Sequence, residues 1–215
     1  MYITYFGHSC FKLQDKIGPE GVTVITDPFN KEVGFPVPHS EADIVTVSHG
    51  HYDHNNVSAV RGTPFIADTA GEYDIKGVSI EGIDSYHDDK EGKERGKNII
   101  FRIIMDDVSM VHLGDLGQSA LDTKQLEKLE RTDVLFIPVG GKYTLDAKRA
   151  VEIISQIEPR IVIPMHYRTG ASKMDIDGVD KFIKELGVKP RQEEKLKISK
   201  KDLPQEEMEL VVLSI

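Results

Sequence analysis

The stretch Ser48–Asn56, SHGHYDHNN, places His49, His51, Asp53 and His54 within six positions, and so holds three of the eight histidines of the chain. Neutral imidazole and carboxylate are the ligands preferred by Zn, Mn and Fe. In extended chain, side chains two apart face the same way, so His49 and His51 would point together. A turn after them would send Asp53 and His54 back toward the same volume. The spacing then reads as two histidines for one ion, and a carboxylate plus a histidine for a second ion beside it.

Four more residues of ligand type stand just past β-like runs. Asp27 closes VTVITDPF, His87 closes VSIEGIDSYH, Asp115 follows VSMVHLGD, and His166 closes RIVIPMH. One aspartate or histidine at a strand end is ordinary turn chemistry. Four of them beside a dense ligand cluster form a pattern, because sites on α/β folds collect at the carboxyl ends of strands. His112 is also in range but lies inside its run, three residues before Asp115. At that odd spacing the two would face opposite ways in a strand. His87, at the end of its run, is therefore the expected ligand, and His112 a supporting or core histidine.

The elements that must position these residues are short. YITYF, CFKL, VTVIT, DIVTVS, PFIA, VSIEGI, NIIFRII and VSMVHL are rich in β-branched and aromatic residues and bounded by Gly, Asp, Asn or Pro. DVLFIPVGG and RIVIPMHY are continuous apolar runs, expected as strands buried on both faces. Helical periodicity comes later. Ala147, Ala150, Val151 and Ile154 share a face of one helix, with Asp146 at its positive end. TKQLEKLER is a second helix with Leu126 and Leu129 inward, and DIDGVDKFIKELG a third, stopped by Gly187. Strands first, then strand–helix alternation, predict packed sheets with helices outside. HDDKEGKERGKN, residues 87–98, reads as one exposed loop, placed where it could cover a site.

The chain has 215 residues, 29% charged and 39% hydrophobic, with a formal net charge of -9. This is one globular domain, residues 1–215, with a core large enough to need no staple. The acidic balance argues against nucleic acid as a partner, and the basic stretch KPRQEEKLKISKKD is diluted by Glu193, Glu194 and Asp202 and reads as a solvated face. Cys10 is the one cysteine. It excludes an intrachain disulfide and reads as a small buried hydrophobe. The N-terminal MYITYFGHSCFKL lacks the pattern of a signal peptide, and no apolar run reaches membrane-span length. The expected location is cytoplasmic.

In these motifs the sequence resembles the metallo-β-lactamase fold superfamily of metal-dependent hydrolases. SHGHYDH, the preceding ITDP, the later HLGDLG and IPMHY carry the likeness, and YFGHSCFKL and PVGGKYTLDAKRA narrow it toward a single-domain, lactonase-like branch. It runs from about Ile3 to Tyr167. The resemblance implies an α/β (α+β) fold, a four-layer αββα sandwich of two mostly antiparallel or mixed sheets flanked by helices. It implies His49, His51 and His87 on one metal, Asp53, His54 and His166 on the other, and Asp115 bridging. Asp27 would then orient the ligand loop. His8, in GHSC, would approach the site, with Asn98 and Tyr167 as weaker candidates.

The expected function is hydrolysis of a small ester, lactone or phosphoester by a hydroxide held between two divalent ions. Asp53 and Asp115 would be the catalytic carboxylates. Zn comes first as cofactor, with Mn and Fe as alternatives. A small-molecule substrate is the expected partner, with homo-oligomerisation left open. Two rivals stand: a non-catalytic metal-binding or interaction protein on the same fold, and a nuclease or phosphodiesterase. No Gly-x-Ser-x-Gly motif or phosphate-binding glycine loop suggests a side-chain nucleophile.

Overall fold

The computed structural model describes residues 1–18, 20–170 and 172–215. Its strands are β1 (Tyr2–Gly7), β2 (Cys10–Asp15), β3 (Val22–Thr26), β4 (Ile44–Thr46), β5 (Phe65–Ala67), β6 (Gly71–Ile75), β7 (Val78–Tyr86), β8 (Lys97–Met105), β9 (Val108–His112), β10 (Val134–Pro138), β11 (Ile161–Met165), β12 (Arg191–Glu193), β13 (Lys195–Lys197) and β14 (Glu209–Leu213). The helices are α1 (Thr123–Leu129), α2 (Ala147–Ile157) and α3 (Val179–Leu186). They form a six-stranded sheet, β13-β1-β2-β3-β4-β5, and an eight-stranded sheet, β12-β14-β11-β10-β9-β8-β7-β6. Both are mixed, as expected for the fold class.

Alternation along the strands shows how the sheets pack. In the first sheet Val24 and Ile44 join the large core shared with the second sheet, while their neighbours Ile25 and Val45 join a separate cluster with Phe29, Val33 and Phe35. Both faces of β3 and β4 are thus buried, one between the sheets and one beneath the loops that follow. On that outer side the cover is two 3-10 turns, Lys31–Val33 and Val57–Ala59. The α-helices cover the second sheet. β10 and β11 are buried along their whole length and pair in parallel, which requires a crossover, and α2 supplies it. α2 turns Ala150, Ile153, Ile154 and Ile157 inward. Asp146 caps it by accepting the Arg149 N–H, and Gly187 ends α3 in a left-handed conformation. α1 begins with a capping box in which Asp122 and Gln125 satisfy each other's backbone N–H.

Strand direction explains where the ligand-type residues gather. β1 is antiparallel to β2, β2 to β3, and β3 is parallel to β4. β1, β3 and β4 therefore run the same way, toward His8, Asp27 and the histidine cluster. In the second sheet β7 and β9 are each antiparallel to β8, and β9, β10 and β11 are parallel. β7, β9 and β11 also share one direction, toward His87, Asp115 and His166. The two sheets are joined at that edge by backbone bonds: His166 N–H donates to His8 O at 2.7 Å, and Ile99 N–H to Ser48 O at 2.9 Å.

Candidate metal centre

His49, His51 and His87 form one group of converging ligand atoms. His8, Asp53, His54 and His166 form a second, and His49, His54 and Asp115 a third that touches both. Asp115 stands at the middle. His87 Nε2 lies 3.2 Å and His166 Nε2 3.3 Å from its Oδ2, and His54 Nε2 lies 3.2 Å from its Oδ1. All of these side chains except that of His51 are buried. The histidine motif is not extended: the chain bends through it, and His54 N–H closes a turn on His51 O at 3.0 Å. His49 and His51 still meet, with ring centroids 4.5 Å apart, because the bend replaces the alternation of a strand.

The ring orientations on the first-sheet side are set by one buried carboxylate. Asp27 Oδ1 accepts the Ser48 N–H at 2.8 Å, and its Oδ2 accepts the Ser48 hydroxyl at 2.6 Å and His54 Nδ1–H at 2.8 Å. Since the Ser48 hydroxyl proton is committed to Asp27, its oxygen accepts from His49 Nδ1–H at 3.0 Å. Both rings then carry a proton on Nδ1 and turn Nε2 into the site, the arrangement a metal ligand needs. Ser48 opens the motif, and nothing in the local sequence marks it as an orienting group.

His8 Nε2–H donates to Asp53 Oδ2 at 3.1 Å, and its ring packs 4.2 Å from that of His166. Asn98 accepts the Asp115 N–H on its Oδ1 at 2.9 Å while its amide donates to Leu113 O and Ser85 Oγ. Gly114 makes this approach possible. It adopts φ +55°, and a Cβ there would stand 2.6 Å from Ser48 Cβ. His112 points away from the cluster. Its Nδ1 accepts the Gly114 N–H at 3.2 Å, so its Nε2–H donates to Ser9 O at 2.9 Å. It ties together the two loops that carry His8 and Asp115. Tyr167 is packed into the core and Cys10 is buried. His8, Asp27 and His166 all adopt left-handed backbone conformations, with φ of 56°, 39° and 51°. Each costs on the order of 1 kcal/mol, and such strain concentrates at functional sites.

Electrostatics match the geometry. Burial first, then His54, pushes the His49 pKa down to about 3, and burial and His166 push His8 to about 4, so both rings are neutral near pH 7. At Asp115 burial opposes ionisation, but His166 and His54 outweigh it and hold the carboxyl well below its usual range. At His54 burial opposes protonation, and Asp115 and Asp27 overcome it. The same negative field favours a bound cation. The fit is borne by the inward atoms: His49 Nε2, His54 Nε2, His166 Nε2 and Asp115 Oδ1 are buried and lack a protein hydrogen-bond partner, which is costly unless something else binds them. A cavity of about 810 Å³ opens over the cluster, lined by His51, Asp53, His87, Asp115 and His166, with Tyr52, Glu94, Arg95, Tyr143, Lys173, Met174 and Asp175 around them.

Two packed mixed sheets, with a His/Asp cluster at the shared carboxyl edge, define the metallo-β-lactamase class of fold. Residues 2–166 match the Beta-lactamase superfamily domain. A crystal structure of a protein from Thermotoga maritima, described as a Zn-dependent hydrolase of the metallo-beta-lactamase superfamily, superposes with a TM-score of 0.79 at 36% identity, over 99% of this chain and 97% of that one. The UPF0173 metal-dependent hydrolase of Methanoregula boonei is 32% identical over 192 residues, covering 79% of this chain and 83% of the relative. That of Methanopyrus kandleri is 27% identical over 220 residues, covering 87% and 94%. The chain belongs to the β-lactamase superfamily and, within it, to the UPF0173 metal-dependent hydrolases. Among the described residues no helix is long and apolar enough to cross a membrane.

Proposed function

We propose that the chain, as a single domain, hydrolyses a small ester, lactone or phosphoester with two divalent ions, Zn in first place. The observation that carries this reading is the junction at Asp115, whose two carboxylate oxygens face imidazoles of both ligand groups. His49, His51 and His87 would hold one ion and Asp53, His54 and His166 the other, with Asp115 placed between the two groups. When bound, the ions supply Lewis-acid polarisation of the substrate oxygen and a water acidified toward neutral pH. Asp27, through His54 and Ser48, holds a proton on each Nδ1 and aims the Nε2 atoms inward. Asp53 lines the cavity with Oδ2 restrained by His8, and serves as the local base that takes up the proton of the attacking water. The buried walls around His54 and Asp115 keep bulk water from competing.

The test is metal analysis of protein purified without added metal, followed by an ester, lactone and phosphodiester panel. Two equivalents of metal, turnover lost to a chelator and restored by Zn, and loss of one equivalent together with activity in Asp115→Ala are expected. Stoichiometric metal with no turnover across the panel would favour a non-catalytic metal protein instead. Full activity with both metals in Asp115→Ala would overturn the two-ion scheme.

A further inference from the structure

Outside the ligand cluster, four charged side chains line the cavity: Glu94, Arg95, Lys173 and Asp175. Both acids are already paired, Glu94 with Lys90 and Asp175 with Lys142. Among the described residues neither Arg95 nor Lys173 has a carboxylate within ion-pair distance. The charge left facing a ligand at the cavity mouth is therefore positive, on a chain whose net charge is -9.

Arg95 is held in place. Its guanidinium lies 5.7 Å over the Tyr143 ring, and Nη2 donates to Lys142 O at 3.4 Å. Its backbone N–H donates to Asp88 Oδ2 at 2.7 Å, and the same carboxylate gathers the N–H groups of Lys90, Gly92 and Glu94. The loop is thus folded around Asp88, with Arg95 presented at its end. A smaller concavity of about 190 Å³ adjoins the main cavity and shares His87, Arg95 and Tyr143 with it. Its lining is almost wholly polar and adds Lys142, Thr144, Arg149, Asp88 and Asp89, of which Lys142 pairs with Asp175, Arg149 with Asp89, and Asp88 with the loop N–H groups. Thr144 Oγ1 is buried there without a hydrogen-bond partner. A guanidinium with no carboxylate partner and a free hydroxyl beside a space of this size are donors for one oxyanion group.

We propose that the substrate carries a second, non-reacting oxyanion, a carboxylate or phosphate, which Arg95 holds where the two concavities meet, with Lys173 adding positive potential at the mouth. This rests on the hydrolase reading above and narrows its substrate class to anionic esters or lactones. The oxyanion changes no bond in the reaction: water adds across the acyl–oxygen bond at the ligand cluster, while Arg95 fixes the distance between that bond and the anion. Because the Asp88 loop is already folded, little ordering remains to be done on binding, which favours specificity.

The test compares three 4-nitrophenyl esters of equal chain length on the metal-loaded protein: one neutral, one ending in carboxylate and one ending in phosphate. At least a tenfold preference in kcat/KM for one charged ester is expected, and which one identifies the anion. Arg95→Gln should lower the charged-to-neutral ratio at least tenfold, mainly through KM. Arg95→Lys should recover part of it, and Lys173→Gln should lower it about threefold. No charge preference in the wild type, or a ratio unchanged by Arg95→Gln and Lys173→Gln, would overturn the proposal. If no ester turns over, the ester reading fails, and calorimetry with glutarate and inorganic phosphate then decides the anion site alone. Tenfold weaker binding by Arg95→Gln would uphold it, and equal binding would end it.

Discussion

The two sides of the ligand cluster are held in different ways. On the first-sheet side, His49 and His54 each have their outer nitrogen bonded to protein, and both bonds lead to Asp27. On the second-sheet side, Nδ1 of His87 and Nδ1 of His166 are buried with no protein partner. There the backbone does the positioning: His166 is left-handed with its N–H on His8 O, and the Asp115 N–H is held by Asn98. One side is oriented through side-chain hydrogen bonds that fix tautomers. The other is oriented through loop geometry, which fixes place but leaves the outer nitrogens to water or ligand. The first arrangement concentrates control in one residue, and the second spreads it.

The sharpest way to break this comparison is Asp27→Ala. It removes the acceptor of His54 Nδ1–H, the Ser48 hydroxyl and the Ser48 N–H together, at a fully buried position. Stability should fall by about 3–5 kcal/mol, as when one partner of a buried ionic network is lost. Metal affinity should fall by roughly 10–100-fold, the usual scale for outer-shell groups. Asn98→Ala, on the second-sheet side, should cost only about 1–2 kcal/mol and leave the rings in place. Equilibrium unfolding and competitive metal titration of the two variants measure this. A larger loss of metal from Asn98→Ala than from Asp27→Ala would refute the asymmetry.

A second test separates the histidines of the second-sheet side. His87→Ala should lower bound metal and shift the melting temperature of the metal-free protein by little. His112→Ala should retain its metal but cost about 2–4 kcal/mol, because it leaves Ser9 O and the Gly114 N–H unpaired inside the core. Metal content and thermal unfolding of each variant resolve the two effects. The reverse pattern would exchange the roles of the two residues.

The same division marks what could be read from the sequence. Residues that converge on the site were legible because each ends a run with strong β character: Asp27 after β3, His87 after β7, His166 after β11. The reasoning that set His112 apart from Asp115 used only the period of a strand, and His112 does turn to Ser9. The link from Asp27 to Ser48 and His54 spans 21 and 27 residues and depends on strand pairing, so no local pattern announces it. Extended chain is expected over residues 49–51 with a turn after it; the turn is present, but the chain already bends at Ser48. β12 and β13 were missed for a different reason. In a stretch rich in Lys and Glu they are edge strands of three residues each, and in β13 only Leu196 is buried. Their identity comes from the neighbours they pair with, Tyr2–Thr4 and Val211–Leu213. Asp88 stood in plain view before Gly92 and Gly96 but read as one more loop charge.

Asp88 gives the finest test, because it is the backbone-ordering device of the second-sheet side in its simplest form. Burial works against its charge, but the N–H groups of Arg95, Lys90, Glu94 and Gly92 outweigh that and lower its pKa from 3.8 to about 2. A depressed carboxylate pKa means the unfolded chain binds the proton more readily. The contribution is therefore complete above about pH 3.8 and is lost as the pH falls toward 2. Asp88→Asn should be about 1–2 kcal/mol less stable than wild type at pH 6, by the usual value of charge-assisted bonds. The gap should narrow as the pH falls from 4 to 3, and amide exchange at Glu94 and Arg95 should quicken over the same range. Asp27, by contrast, is held by His54 as well as by Ser48, and its influence passes through side chains to the metal ligands. If the gap for Asp88→Asn stayed constant from pH 6 to pH 3, its four N–H bonds would not depend on charge. The loop beside His87 would then owe its shape to packing, and the contrast between the two sides would rest on Asp27 alone.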